Sequence, residues 1–469
     1  MEHIESSQWS ELGDDLLHEI AKLLYSYDDY CRFRAVCKEW NRVLPQIPNR
    51  PWLVLPFDDK AIETRVAEEK IYYVKLPELQ TTKLRGSCFG WLMVVGFDGT
   101  LRMLNPFTRK HSDLPPMSTF PDIFDYNPDL EMPYVVKELK VFNEDGNNPY
   151  NEDDEDSDDN GEDDGDSYDE GDDPNEDYFN ESDNDFDESD DEGDNDSDES
   201  DNEGDDKDDY VYICIGSTYG TINISNKFMQ MMHVKKIIIS SSPDDEYKQD
   251  EFMAIAIYGI YNRLAFCKHG DNEWTDIPKL QKDDVNCDYD YEDVIFHQGK
   301  IYVIDTFTQI FEFDIKTFGT PLGRIIEIPK PHDLYFLATN WKFAYLIGCL
   351  DGSLLMVVRH INFDDENIGF NSPKFDIYKL ENGAKQWSKV FDLKKYALFV
   401  GFNSSVLMSA NVFPNGWENR VHYTDNVLPT QFYRSVGGYD IGVFNLEDEK
   451  STLLFPDITL LSSPPIWLV

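Results

Sequence analysis

From about residue 69 to the C-terminal end, short apolar runs with alternating side chains are separated by turns rich in Gly, Asp and Asn. An apolar residue at every second position is typical of a β-strand with one buried face. Representative runs are GWLMVVGFDGTLRML (90–104), GKIYVIDT (299–306) and FAYLIGCLDGSLLMVV (343–358). Two turns contain Asp-Gly, the dipeptide most typical of tight hairpins, at Asp98-Gly99 and Asp351-Gly352. The pattern predicts an all-β region over 69–469.

The spacing of these runs indicates which all-β architecture to expect. A turn followed by an apolar strand recurs near residues 91, 264, 301, 354 and 399, and the later intervals are 37, 53 and 45 residues. One blade of a β-propeller takes about 40–50 residues. We therefore expect a propeller, while the irregular intervals leave a sandwich or a pair of barrels open.

The N-terminal residues follow a helical period instead. Five apolar residues fall on one face of a first helix: Leu16, Leu17, Ile20, Leu23 and Leu24. A second stripe contains Tyr30, Phe33, Val36, Cys37, Trp40, Val43 and Leu44. Pro45 and Pro48 then end the helical region. A helical unit of roughly 40 residues buries too little surface to be stable alone, so we expect it to dock onto a partner.

One segment differs from all the rest in charge. Residues 144–209 contain 37 Asp and Glu against a single Lys207, and they supply −36 of the chain's net charge of −51. Such a segment repels itself and has little apolar surface to bury, so we expect a long disordered loop inserted between two strands. No cluster of Lys and Arg is present to bind nucleic acid or an anionic membrane surface.

Cysteine use and the N-terminal residues predict the compartment. The seven cysteines are scattered and form no C-x-x-C pair, so we expect neither a disulfide framework nor a zinc site. The start, MEHIESSQWSELGDD, has no apolar core of a signal peptide, and no window approaches the roughly 20 apolar residues of a membrane span. We expect an intracellular protein of the cytoplasm, the nucleus or both.

No catalytic motif stands out. The sequence contains no P-loop, no G-x-S-x-G and no G-x-G-x-x-G, and its nine His residues lack metal-ligand spacing. The run from Asp156 to Gly161 begins like a calcium loop but has Ser167 where the bidentate Glu belongs. We therefore expect no enzyme activity, no cofactor and no bound metal.

The helical region over 8–48, with WSELGDDLLHEIAKLL and DDYCRFRAVCKEWNRVL, resembles the F-box. The matching residues are Leu12, Leu16, Leu17, Ile20, Arg34, Val36, Cys37, Lys38 and Trp40. The resemblance implies that they form the small helical core and the surface that docks on a Skp-type adaptor and, through it, a cullin. Gly13 departs from the family's usual proline, which raises the entropic cost of docking.

The β region resembles plant F-box proteins that carry a KIB-type β-propeller. Matching stretches include GSCFGWLMVV (86–95), NRLAFCKHGDNEWTDI (262–277), VIFHQGKIYVID (294–305), NRVHYTDN (419–426) and PPIWLV (464–469). The resemblance implies a non-catalytic, substrate-recognition subunit of a Skp–cullin–F-box E3 ubiquitin ligase, and it leaves the protein substrate unidentified. Two alternatives stay open: a propeller scaffold that joins no ligase, and a chaperone that holds basic proteins on its acidic segment.

Overall fold

The computed structural model describes most of the chain outside the acidic segment. The described residues are 12–22, 24, 27–44, 51–56, 62–66, 70–74, 76–137, 213–215, 221–243, 252–278, 290–314, 323–329, 331, 334, 342–364, 369–410, 417–425, 440–454, 461 and 463–468. The described residues all belong to one compact unit. The predicted disordered insertion at 144–209 lies outside the described residues.

Helices are few and short. The N-terminal region contains α1 (Asp14–Lys22), α2 (Tyr27–Arg34) and α3 (Lys38–Val43). A single turn, α4 (Asn226–Phe228), runs into a π-helical turn at Met229–His233. Short 3₁₀ turns lie at Pro77–Leu79 and Met117–Thr119.

The remaining described elements are strands. In chain order they are β1 (Trp52–Pro56), β2 (Ile62–Val66), β3 (Lys70–Val74), β4 (Thr82–Cys88), β5 (Trp91–Gly96), β6 (Leu101–Leu104), β7 (His111–Leu114), β8 (Ile123–Tyr126), β9 (Tyr134–Lys137), β10 (Ile213–Ile215), β11 (Thr221–Ile224), β12 (Val234–Ile239), β13 (Met253–Tyr258), β14 (Arg263–Lys268), β15 (Thr275–Asp276), β16 (Tyr291–His297), β17 (Lys300–Asp305), β18 (Ile310–Asp314), β19 (Arg324–Ile326), β20 (Lys342–Gly348), β21 (Leu354–Asp364), β22 (Gly369–Leu380), β23 (Ser388–Val390), β24 (Tyr396–Val400), β25 (Val406–Ser409), β26 (Arg420–Tyr423), β27 (Gly442–Asn445), β28 (Lys450–Leu453) and β29 (Ile466–Leu468).

Within the described residues the strands form seven sheets, here numbered I to VII. Their strand orders are β29-β1-β2-β3 (I), β4-β5-β6-β7 (II), β10-β11-β9-β8 (III), β12-β13-β14-β15 (IV), β16-β17-β18-β19 (V), β20-β21-β22-β23 (VI) and β25-β24-β26-β27-β28 (VII). The prediction of an all-β region is confirmed. Sheet I also includes β1 and β2, which lie before residue 69, where the alternating pattern begins in the sequence.

Six of these sheets pack in a closed ring. Separate apolar cores join sheet I to II, V to VI, VI to VII and VII back to I, and one larger core spans sheets II to V. The C-terminal strand β29 pairs with β1, so the two ends of the β region close the ring within one sheet. This is the arrangement of a β-propeller.

Sheet III lies outside the innermost layer of the ring, because β4 and β12 contact each other directly. The N–H of Ile239 donates to Sγ of Cys88 at 3.2 Å. Gly86 makes this approach possible: it has φ +159°, and a Cβ there would lie against the carbonyl oxygen of Ile237. Sheet III instead contributes Tyr134 and other buried residues to the large core shared with sheets II and IV.

Both Asp-Gly hairpins are confirmed. Gly99 lies between β5 and β6 with φ +77°, and Gly352 lies between β20 and β21 with φ +85°. Only glycine adopts this left-handed backbone without strain, which is why Asp-Gly marks such turns in a sequence.

Candidate functional site

The backbone of Gly13 starts helix α1. Its carbonyl oxygen accepts the N–H of Leu16 at 3.0 Å and that of Leu17 at 3.1 Å. Asp14 and Asp15 follow in the first turn, where carboxylates interact favourably with the positive end of the helix dipole. A Cβ built on Gly13 would meet no atom within 4 Å. Packing in the helical unit therefore does not require glycine at this position.

Cys37 starts helix α3 through its side chain. Its Sγ accepts the N–H of Trp40 at 3.5 Å, and its backbone is extended, as expected of an N-terminal cap. At the other end of the helix, the N–H of Leu44 donates to the carbonyl oxygen of Trp40 at 3.0 Å. The predicted site residue Cys37 thus acts inside the helical unit.

The three helices bury a small core of their own. Its buried members are Leu17, Ala21, Tyr30, Trp40 and Leu44, and its partly buried members are Leu12, Phe33, Cys37 and Val43. The rings of Phe33 and Trp40 lie 4.5 Å apart between centroids. Trp40 is 4% exposed, so nearly its whole surface is buried.

Two predicted site residues remain on the outside. Leu16 is 52% exposed and Val36 is 58% exposed. Ile20, one helical turn after Leu16, is half-buried. Large apolar side chains exposed this far on so small a unit are the groups available to a docking partner.

The side chain of Arg34 holds the ends of two helices together. Its Nε donates to the carbonyl oxygen of Leu44 at 3.2 Å, and its Nη2 donates to that of Asn41 at 3.1 Å. Carbonyl groups at the end of a helix lack intrahelical partners. Arg34 supplies hydrogen-bond donors to two such carbonyl groups and so fixes the end of α2 against the end of α3.

Of the nine residues that match the F-box, the eight predicted to bind the adaptor, which are all but Lys38, therefore fall into groups. The structure brings all of them together in the helical unit, with Leu17 and Trp40 in its core, Arg34 and Cys37 at helix ends, Leu12 and Ile20 half-buried, and Leu16 and Val36 exposed. Sequence periodicity placed them on helices but did not separate the buried residues from the exposed ones.

The ring contains charged residues that sequence reasoning missed. In β12, Lys236 forms an ion pair with Asp293 of β16, and the two side chains are 4% and 2% exposed. Asp293 also accepts the N–H of Leu346 in β20 at 2.9 Å, so it links three sheets. The guanidinium of Arg85 is buried at the junction of sheets II and IV, and burial lowers its pKa to about 9. No local pattern marks such residues, because each partner comes from a distant strand.

Neither a metal centre nor a membrane span is found in the part of the chain that the structure describes. No group of three or more His, Cys, Asp or Glu side chains there is arranged to hold a metal ion. None of the helices described above is long and apolar enough to cross a membrane.

A comparison with models of protein families agrees with the assignment of the ring of sheets as a β-propeller. A family model described as the KIB1-4 beta-propeller matches residues 62–445, which is most of the chain. The chain belongs to the KIB1-4 β-propeller family. The matched region begins in β2 and ends in β27, so it includes strands of all seven sheets and leaves out β1, β28 and β29.

Several relatives of this KIB1-4 propeller chain come from Arabidopsis thaliana. F-box protein SKIP23 is 22% identical, with 98% of this chain and 95% of that protein aligned. F-box protein At2g26160 is 21% identical, with 90% of this chain and 97% of that protein aligned. Putative F-box protein At5g55150 is 26% identical, and the match spans 46% of this chain and 55% of that protein. The predicted resemblance to plant F-box proteins with a KIB-type propeller is confirmed.

Proposed function

We propose that this protein is the substrate-recognition subunit of a Skp–cullin–F-box E3 ubiquitin ligase. The observation that carries the proposal is the division of the helical unit, which buries Leu17 and Trp40 in its own core and leaves Leu16 and Val36 exposed. The printed names of its relatives support the same function, since several are called F-box proteins. Residues 8–48 act as the F-box, and the ring of sheets binds a protein substrate.

The mechanism is proximity rather than bond chemistry. The F-box docks on a Skp-type adaptor and, through it, on a cullin, while the propeller holds the substrate. Two binding surfaces on one chain raise the effective concentration of a substrate lysine beside the charged ubiquitin-conjugating enzyme. The function needs neither a cofactor nor a catalytic residue in this chain, and it places the protein in the cytoplasm, the nucleus or both.

The exposed apolar pair provides the test. Leu16→Ser together with Val36→Ser is expected to weaken binding of a purified Skp adaptor about tenfold or more, since centrally placed apolar anchors dominate interfaces. Both side chains are exposed, so the thermal midpoint is expected to stay unchanged. Leu350→Ser is the matched control, because Leu350 is an exposed leucine on the hairpin between β20 and β21. Wild-type adaptor binding by the double variant would show that Leu16 and Val36 do not form the docking surface, and failure of the wild-type chain itself to bind an adaptor would refute the ligase function.

A scaffold that joins no ligase is the second candidate, and Gly13 favours it. A glycine before α1 is more mobile in the unfolded chain than the proline usual in F-boxes, so ordering this position on docking costs more entropy. Failure of the wild-type chain to bind any Skp adaptor, with the ring still folded, would support the scaffold.

A further inference from the structure

Three basic side chains lie side by side at one end of sheet VI. Lys342 of β20 is directly opposite His360 of β21, and His360 is directly opposite Lys374 of β22. Residues that are directly opposite in antiparallel strands lie on the same face of the sheet, with Cβ atoms about 5 Å apart. We call Lys342, His360 and Lys374 the basic row. Neighbouring strands are about 4.8 Å apart, so the two lysines start about 10 Å apart on either side of the histidine, within reach of one small anion.

One carboxylate lies beneath the basic row. Oδ2 of Asp376 is 2.7 Å from Nε2 of His360 and 3.0 Å from Nζ of Lys374, and Oδ1 is 2.9 Å from Nζ of Lys389 in β23. The side chain of Asp376 is 6% exposed, whereas that of Lys374 is 51% exposed. Burial raises the pKa of Asp376, but hydrogen bonds from His360, Lys389 and Lys374 outweigh it and hold that pKa well below its ordinary value. Asp376 is therefore a buried negative charge that holds basic side chains at the surface.

Positive charge exceeds negative charge around this carboxylate. Asp376 supplies one negative charge against the two ammonium groups of Lys374 and Lys389. Lys342 forms no ion pair within the described part of the chain. The next carboxylate along β21, Asp364, ends that strand about 13 Å beyond the row. Each ammonium group has three N–H donors, so the row keeps donors that Asp376 does not use.

The loop that follows β23 adds to the same sign of charge. β23 runs antiparallel to β22, toward the level of Lys374. Lys394 and Lys395 are exposed in this loop, against one exposed carboxylate, Asp392. Oδ1 of Asp392 accepts the backbone N–H of Lys394 at 2.6 Å. This end of sheet VI is therefore locally basic in a chain whose net charge is −51.

We propose that the basic row is a binding site for the phosphate group of a phosphorylated side chain in a partner protein. Such a group carries a charge of about −1.5 to −2 and three acceptor oxygens, which matches one donor from each of the three side chains. Clusters of basic side chains are a recurring means of recognising phosphorylated segments, and hydrogen bonds between ionised groups are stronger than neutral ones.

The charge of the whole chain decides which carrier of phosphate fits. Nucleic acid or an anionic membrane surface spreads its charge over a wide area and would meet a protein with a net charge of −51. A single phosphate group on a peptide places its charge only at the basic row, where the local sign is opposite. An Asp or Glu side chain of a partner has less charge and one acceptor oxygen fewer, so we expect it to bind more weakly.

The site deepens the proposed function in one respect. In a substrate-recognition subunit the basic row would select phosphorylated proteins, and this step rests on the proposed ligase function. Binding of phosphate to the row does not depend on the ligase and is measured without an adaptor.

Binding of short fluorescent peptides to the full chain tests the site. The probe contains one phosphoserine among neutral residues, and two comparison peptides have glutamate or serine in its place. Wild type is expected to bind the phosphoserine peptide more tightly than either. Lys342→Gln with Lys374→Gln is expected to weaken that binding about tenfold or more, because two charge-assisted hydrogen bonds are lost. Inorganic phosphate is expected to compete, but with lower affinity than the peptide, which also contacts the protein around the row.

The matched control removes the same charge elsewhere. Lys268→Gln with Lys450→Gln changes two exposed lysines at the ends of strands in sheets IV and VII. Phosphoserine binding by this variant is expected to stay at the wild-type level. The control therefore separates the basic row from the effect of net charge on any anionic peptide.

Asp376→Asn gives a signed test. The change removes the one negative charge beneath the row and leaves its basic side chains without their counter-ion. The thermal midpoint is expected to fall, since like charges side by side in a sheet are destabilising, while phosphoserine binding is expected to become several-fold tighter. A network with only a structural role would lose stability without gaining affinity.

The contrary outcomes are distinct. Circular dichroism of each variant shows whether the sheets are retained. Wild-type affinity of the Lys342 and Lys374 variant for the phosphoserine peptide, or an equal loss in the Lys268 and Lys450 control, would overturn the site. Equal binding of the glutamate peptide would overturn its preference for phosphate, and equal affinity for inorganic phosphate would overturn the partner protein as its source. Adaptor binding reports on the ligase function separately, since it is measured at the helical unit.

Discussion

Arg359 in sheet VI donates from Nη2 to Oδ2 of Asp440 at the edge of sheet VII across 2.9 Å, and each side chain is 1% exposed. The same carboxylate accepts the hydroxyl of Ser372, and Nη1 of Arg359 donates to the carbonyl oxygen of Thr424 at 2.7 Å. Burial alone would lower the pKa of Arg359, but Tyr345 and Asp440 outweigh it and keep the pKa above the ordinary value. A buried charged pair with several further hydrogen bonds thus joins two sheets of the ring.

Asp440→Leu is expected to destabilise the protein strongly. The change leaves the Arg359 guanidinium buried beside an apolar group, and an uncompensated buried charge costs about 3–5 kcal/mol. Urea unfolding measures the loss. Adding Arg359→Met is expected to restore part of it, because the second change removes the unpaired charge.

The exposed pair of Arg102 and Asp113, which are 50% and 70% exposed, is the matched control. Asp113→Leu is expected to cost at most about 1 kcal/mol, since an exposed ion pair contributes little. If Asp440→Leu cost no more than Asp113→Leu, the buried pair would not stabilise the junction of sheets VI and VII.

The strands could be predicted from the sequence, but these ion pairs could not. Period-two runs and Asp-Gly turns are local patterns, so β5, β6, β20 and β21 follow from a few residues each. Arg359 and Asp440 are separated by 81 positions, and Lys236 and Asp293 by 57. Their pairing depends on which sheets become neighbours in the ring, which is a property of the closed fold.

The candidate site was likewise predicted only in part. Leu16 and Leu17 both match the F-box pattern, yet Leu17 is fully buried while Leu16 is 52% exposed. Adjacent residues on a helix point about 100° apart, and the packing of α2 and α3 decides which of them is covered.

Trp40→Ala is expected to unfold the helical unit while the sheets stay folded. Removing a buried tryptophan costs about 3–5 kcal/mol, which is large for a core of so few residues. Hydrogen exchange read residue by residue is expected to show loss of protection in α1 and α3. Amides of β12 and β13 are expected to retain theirs. Leu16→Ser is the comparison, because an exposed position on the same unit should leave the protection of α1 unchanged.

Adaptor binding is expected to be lost in the Trp40 variant as a consequence of this unfolding. Protection of α1 at the wild-type level in Trp40→Ala would contradict the placement of Trp40 in the core of the helical unit.

Gly13→Pro is expected to tighten adaptor binding. The open space around Gly13 accommodates the ring, the carbonyl that accepts from Leu16 and Leu17 is retained, and φ at this position is not in the left-handed region. Proline restricts the unfolded chain, which is worth about 0.4–1 kcal/mol. Titration calorimetry with the Skp adaptor measures the change. Gly13→Ala should give a smaller gain, and weaker binding by the proline variant would show that the docked backbone is incompatible with proline.

Replacing residues 146–207 with a Gly-Ser linker is expected to leave the thermal midpoint within a few degrees. β9 and β10 both run antiparallel to β11, so they run parallel to each other within sheet III. A connection between parallel strands takes about a dozen residues or more. The residues retained between β9 and β10, together with a short linker, meet that length, and loop closure entropy changes little.

A shorter replacement tests the minimum length of the connection between β9 and β10. Joining Lys137 to Ile213 by Gly-Gly is expected to destabilise sheet III. Since β9 and β10 run parallel, the connection must lead from the end of β9 back to the start of β10, and two residues are too short for that. Aggregation of the longer-linker variant would show that the acidic segment is needed for folding, and equal stability of the two variants would contradict the strand order of sheet III.

His422 predicts how stability depends on pH. Its ring stacks on Trp417 at 4.3 Å and on Phe399 at 4.7 Å between centroids, and it is 2% exposed. Neither ring nitrogen has a hydrogen-bond partner in the described part of the chain. Burial, with a contribution from Arg420, lowers the pKa of His422 from 6.5 to about 3. Between these two pKa values the imidazole is therefore neutral in the folded protein but protonated in the unfolded chain.

The free energy of unfolding is consequently expected to be independent of His422 above about pH 6.5 and to fall as the pH drops below it, because the unfolded state then binds the extra proton. At pH 5 the loss amounts to about 2 kcal/mol, since each pKa unit corresponds to about 1.4 kcal/mol.

His422→Phe keeps the stacked ring and removes the titrating group. Urea unfolding of both proteins between pH 7.5 and about pH 5 isolates this contribution as the difference between their profiles. His111→Phe is the control, because it makes the same substitution at a histidine that is exposed in the folded protein. Parallel profiles for wild type and His422→Phe would contradict a buried, neutral His422.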